Sequence, residues 1–215
     1  MLDWMQPEAE QIRIAFTKVV GPGPQPFGNQ ATHIGGFSDG KPGVQWTVAY
    51  DPRDGGMFVG VNLEGMAYTE WPIATLIERE SRDYSLLEVI NRHPEVSDVE
   101  VLWRRDYWQA KSRPEIAERE ILRMPLGELT EESWRAALKD ALACLDRKRK
   151  NRGRAVQTVT LPDGSQVEGE VSPHLTFICA ATAPASNEKF FQEAKAKLRP
   201  LHVWATARAA RAVKF

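Results

Sequence analysis

Apolar residues recur at three- and four-residue steps along residues 7–20. Ala9, Ile12, Phe16 and Val19 share one stripe, which predicts an amphipathic helix. Pro7 suits its first turn, and Gly21–Pro22 supply the stop. From Val44 the period changes to two. Pairing Tyr50 with Met57 across "DPRDGG" also aligns Val48 with Val59, Trp46 with Val61 and Val44 with Leu63. All eight side chains then fall on one face, while Gln45, Thr47 and Ala49 lie with Phe58, Gly60, Asn62 and Glu64 on the other. This predicts a hairpin, 44–50 with 57–64, packed on one side. Between helix and hairpin, residues 21–43 hold seven Gly and four Pro, a composition that predicts an irregular loop.

Further on, Pro72 opens a short helix with Ile73, Leu76 and Ile77 inward. Ser85 and Glu88 form a capping-box pair for a second helix that ends before Pro94. Residues 98–104 alternate as a strand. Residues 113–128 suit either a helix begun at Ser112–Glu115 or an edge strand ending at Pro125. Thr130 is the N-cap of a helix over 131–150, with Trp134, Leu138, Ala141 and Leu145 on one face. A second hairpin, 156–161 with 165–171, turns at Pro162–Asp163–Gly164. Residues 174–181 are apolar on both faces, as in a central strand. A helix over 187–199 places Phe190, Phe191, Ala194 and Leu198 inward, until Pro200 interrupts it and a basic helix bearing Trp204 resumes. Antiparallel hairpins packed by segregated helices indicate an α+β fold. The chain is expected to be one domain, with an acidic lobe (1–128) and a basic lobe (129–215) as the alternative partition.

Composition adds little to this picture, but charge changes it. At 215 residues the chain can bury a sizeable core, and 42% apolar with 27% charged residues is a globular balance. No apolar run approaches the roughly 18 residues of a membrane span, and the N-terminus shows no secretory pattern. Two cysteines without CxxC spacing, Cys144 and Cys179, read as inert core thiols and suit a cytoplasmic setting. The net charge of −1 hides a division: residues 1–140 carry 15 Lys+Arg against 23 Asp+Glu, and residues 141–215 carry 13 against 6. Such asymmetry points to an acidic or polyanionic partner for the C-terminal third, or to attraction between the halves within one fold.

Several patterns bear on chemistry. Gly35, Gly40 and Lys41 match the start of a phosphate loop, but Pro42 lacks both the hydroxyl and the N–H, and a strand rather than a helix follows. Ser38 in "GFSDG" lies before a strand, where no nucleophile elbow forms. His33, His93, His174 and His202 lack zinc spacing, and neither a metal nor a cofactor is expected. Asp51 and Asp54 suit a turn. Asp51, Glu64 or Glu100 gives the alternative of a metal-dependent hydrolase or nuclease. Asn62, Glu64, Glu100 and Arg104 share a polar face if strand 98–104 joins the first hairpin.

The strongest candidate is cationic: Arg147, Lys148, Arg149, Lys150, Arg152 and Arg154, extended by Arg208, Arg211 and Lys214 if the tail folds back. Exposed aromatics such as Trp108 and Trp204 would anchor an interface. The expectation is a non-enzymatic interaction protein that contacts nucleic acid or an acidic protein through its basic C-terminal third. Self-association is a further option.

Overall fold

The computed structural model describes residues 7–28, 35–41, 43–51, 56–63, 72–107, 119–145, 155–160, 163–181 and 188–210. Its elements in chain order are α1 (Pro7–Val20), β1 (Gln25–Gly28), β2 (Gly35–Ser38), β3 (Val44–Asp51), β4 (Gly56–Leu63), α2 (Pro72–Asp83), α3 (Ser85–Arg92), β5 (Glu100–Tyr107), β6 (Arg119–Pro125), α4 (Glu131–Leu142), β7 (Ala155–Thr160), β8 (Gln166–Ala181) and α5 (Glu188–Ala209). The fold is α+β. The strands run in the order β1-β2-β3-β4-β8-β5-β6, with β7 alongside the first part of β8, and every pairing is antiparallel.

The β3–β4 register is the one that alternation dictates, with Val44, Trp46, Val48 and Tyr50 opposite Leu63, Val61, Val59 and Met57. The second hairpin forms over 155–160 and 166–171. Its return strand does not stop there, because the strand expected at 174–181 is its continuation, giving 16 residues in β8. Among the described residues Pro173 pairs only with Arg105 of β5, since β7 starts with Ala155 opposite Val171 and β4 ends with Leu63 opposite Leu175, which is how a proline is tolerated within β8.

The helices cover one face of the sheet. Trp46, Val48, Val59, Val61, Leu63, Val101, Trp103, Leu175 and Phe177 of that face join Phe16, Ile73, Leu76, Ile77, Trp134, Phe191, Leu198 and Trp204 in one core. Aromatic pairs stitch the layers. Phe16 meets Phe191 edge-on at 6.2 Å, Phe177 meets Trp204 at 5.8 Å, and Trp103 lies 5.0 Å from Trp134. Such pairs add to the area they bury, which already dominates core energetics.

Four expectations need correction. Residues 21–43 are not wholly irregular, since Gln25–Gly28 and Gly35–Ser38 pair and extend the sheet beyond β3. Gly36 belongs there for a steric reason: a Cβ would sit 1.9 Å from the Val48 carbonyl oxygen. Ser85 is not the N-cap of α3. Tyr84 holds that position with φ of 49°, and the Ser85 hydroxyl turns back to Glu80 instead. Helix α4 ends at Leu142 rather than near 150. The N–H groups of Cys144 and Leu145 reach back to Ala141 and Leu142 and tighten the chain into an i→i+3 turn. Finally, Pro200 does not interrupt α5, which runs 22 residues through it. The cost is local: proline offers no N–H to the carbonyl of Ala196. Residues 113–118 lie outside the described residues, and 119–125 form the edge strand that ends at Pro125.

Candidate functional site

Continuity of α5 through Pro200 creates a surface that a broken helix would lack. Lys195, Arg199 and His202 stand at i, i+4 and i+7, on one side of the helix. Opposite, α1 contributes Lys18 and Val19, and β3 contributes Trp46. Together with Ala196 and Val203 these residues line a concavity of about 530 Å³. Its floor is aromatic, the His202 ring stacking on Trp46 at 4.8 Å with only 9° between planes. Lys195 is tethered by donating to the Val19 carbonyl at 2.6 Å. Lys18 pairs with Glu188 at 3.2 Å on the rim, where both side chains are well exposed. Arg199 is exposed and makes no hydrogen bond or ion pair among the described residues.

His202 is held below its usual pKa, chiefly by burial. Lys41 and Lys195 push the same way, and Asp39 opposes them. It is therefore an uncharged imidazole at neutral pH, and its buried Nε2 has no hydrogen-bond partner among the described residues. Lys41 also lies 3.5 Å from Asp39. The concavity is thus positive on its walls and apolar-aromatic on its floor.

On the far side of α5 a second groove of about 450 Å³ runs between α3 and α5, lined mainly by Val89, Pro200, Val203, Trp204 and Ala207. Ala196, Arg199 and Val203 border both grooves. Val203 is 59% exposed on the ridge between them.

The residues singled out from sequence fall elsewhere. Arg147, Lys148, Arg149, Lys150, Arg152, Arg154, Arg211 and Lys214 lie outside the described residues, as do Trp108, Asp54 and Glu64. Trp204, expected on the surface, is only 6% exposed. It packs on Phe177 and donates from Nε1 to the Ser85 hydroxyl at 3.0 Å. Arg208, expected to be available, is held inside the molecule. It donates to Ser85 Oγ at 2.7 Å and to Asp83 at 2.5 Å, and lies 3.5 Å from Glu80. Its guanidinium holds the Asp83 carboxyl below the usual range.

Glu80 is the hub of this cluster. Fully buried, it accepts from the Leu86 N–H at 2.7 Å, Ser85 Oγ at 2.9 Å and Trp134 Nε1 at 3.1 Å, joining α2, α3 and α4. Burial nevertheless outweighs these bonds and raises its pKa. Arg79 donates to the carbonyls of Ala207 and Arg208 near the end of α5, where positive charge is favoured. Lys197 pairs with Asp98 at 2.7 Å. Part of the charge asymmetry between the halves is therefore spent within the molecule.

The polar face expected from Asn62 and Arg104 does form, through an intermediary. β8 lies between β4 and β5, so His174 links the two residues. Arg104 Nη2 lies 3.3 Å from His174 Nδ1, and His174 Nε2 lies 2.5 Å from Asn62 Oδ1, which also accepts from Thr176 at 2.9 Å. A guanidinium can only donate, so Nδ1 accepts and the ring proton sits on Nε2. With His174 8% and Asn62 6% exposed, this network braces the centre of the sheet. Glu100 is engaged by Arg123 at 2.9 Å, and Asp51 ends β3. Among the described residues no group of three His, Cys, Asp or Glu is placed to hold a metal ion, and no helix is long and apolar enough to cross a membrane. Compared with known protein families, with curated proteins and with solved structures, the chain finds no match.

Proposed function

We propose that this protein works by binding, and that the cleft between α1 and α5 receives an acidic segment of another protein. The observation that carries this reading is Arg199, an exposed guanidinium with no partner among the described residues, beside Lys195 and Lys18 over a floor of stacked Trp46 and His202. Arginine and tryptophan are the residues that most often anchor interfaces, and cations on a concave wall steer an anionic partner toward it.

The lining favours protein over nucleic acid. Phosphate binding gains from many cations tracking a backbone. Here three sit among Val19, Ala196 and Val203, with the carboxylate of Glu188 on the rim. Arg147, Lys148, Arg149, Lys150, Arg152, Arg154 and Arg211 add positive charge to the same C-terminal third, which suits the same partner.

Fluorescence anisotropy with a labelled oligoglutamate tests the reading. Affinity should fall as salt rises and drop about tenfold or more in Lys195→Glu/Arg199→Glu, as charge reversal of a steering patch requires. No binding at low salt, or binding unchanged in the variant, would refute it. Tighter binding of single-stranded DNA of equal charge would replace the acidic protein with nucleic acid.

A further inference from the structure

The ridge of α5 has a different groove on each side, and the two share Ala196, Arg199 and Val203. On the α1 side the walls carry Lys18, Lys195 and Arg199. On the α3 side the lining is mostly hydrocarbon, from Val89, Pro200, Val203, Trp204 and Ala207, with Arg92 and His93 at its edge. Arg92 is paired with Glu88 at 3.0 Å, and His93 Nδ1 lies 2.9 Å from Glu95 Oε1, so both polar side chains at that edge already have partners.

We infer that the occupant is an acidic amphipathic peptide segment lying across this ridge, with carboxylates facing Lys195 and Arg199 and an apolar side chain in the α3–α5 groove. This rests on the binding reading above and adds to it the second chemistry that the partner must carry. Three observations support it. Among the described residues Val203 is the most exposed large apolar side chain, and it borders both grooves. Arg199 borders both and can hold a carboxylate whichever side the partner's chain follows. Helix α5 runs on through Pro200, so Ala196, Arg199 and Val203 stand on one continuous ridge that both grooves share. A purely acidic chain would use only the first groove, and a purely apolar one only the second.

The experiment compares two labelled peptides of equal length and charge, one of glutamate and serine and one of glutamate and leucine in helical spacing. Burial of a leucine side chain predicts that the leucine peptide binds about tenfold tighter. Val203→Ser, at an exposed position, should remove most of that advantage, weakening the leucine peptide far more than the serine peptide. Arg199→Glu should weaken both. Equal affinity of the two peptides, or an advantage that survives Val203→Ser, overturns the inference while leaving an acidic partner in place. Binding of neither peptide overturns both readings, and circular dichroism of each variant confirms that the fold is intact.

Discussion

Glu80→Ala removes the one carboxylate on which the helical layer converges. Glu80 is fully buried, and its loss strips partners from the Leu86 N–H and the Trp134 Nε1–H. The Ser85 hydroxyl can rotate elsewhere, but those two donors cannot. Each buried donor left unsatisfied costs about 1–3 kcal/mol. Some of this is returned, because a buried carboxylate no longer has to be kept from water; that penalty is what raises its pKa. Loss of a partner for Arg208 acts in the other direction. A net cost of about 3 kcal/mol follows, a large share of the roughly 5–15 kcal/mol that holds a domain together.

Glu80→Gln keeps an oxygen for Leu86 and Trp134 and should cost about 1 kcal/mol or less. Urea unfolding followed by tryptophan fluorescence gives both values as shifts in midpoint at constant slope. The pH dependence supplies a sign. The folded protein keeps the Glu80 proton over a range where the unfolded chain has lost it. This group's contribution therefore falls as pH rises from the ordinary carboxylate range through the raised value. Glu80→Gln should abolish that fall. A cost for Glu80→Ala below about 1 kcal/mol, or equal costs for the two variants, would refute the hub.

Gly36→Ala should detach β1 and β2 from β3, because the new methyl group meets the Val48 carbonyl at 1.9 Å; faster hydrogen exchange confined to 25–28 and 35–38 would show it. Pro200→Ala restores a donor to the Ala196 carbonyl and should raise stability by about 1 kcal/mol or more, read as a higher Tm. Burial pushes the thiols of Cys144 and Cys179 up to about 12 and about 11, so neither should react with iodoacetamide at pH 8 until the protein unfolds. Lys197 holds the Asp98 carboxyl below its usual range. The pair's contribution, below about 1 kcal/mol at this exposure, should be present at neutral pH, vanish as pH falls through that lowered value, and be missing at neutral pH in Asp98→Asn.

Legibility in the sequence followed the length of each pattern. β3 and β4 alternate over eight residues each, enough to set their register before any tertiary contact is known. β1 and β2 have four residues each, with Pro26, Gly28, Gly35 and Gly36 among them, and nothing in so short a window outweighs its turn-like composition. The pairing that makes them strands is supplied by β3. The insertion of β8 between β4 and β5 is likewise non-local, so His174 could not be read as the link between Asn62 and Arg104. The cleft was hidden by Pro200. Once α5 is taken as stopping there, Lys195 and Arg199 lose their alignment with His202. Trp204 and Arg208 looked available because a basic tail carries no mark of Asp83, Ser85 and Glu80, more than 100 positions earlier, which hold it.

The position of β8 has a consequence for synthesis on the ribosome. β4 and β5 leave the exit tunnel more than 60 residues before the strand that joins them, and each has an unzipped backbone edge until Val171–Ala181 arrives. The nascent chain therefore cannot close its sheet a piece at a time. It must carry two bare seams until β8 has been made, and a truncated product lacking β8 should be captured by chaperones or precipitate rather than accumulate as a smaller folded unit.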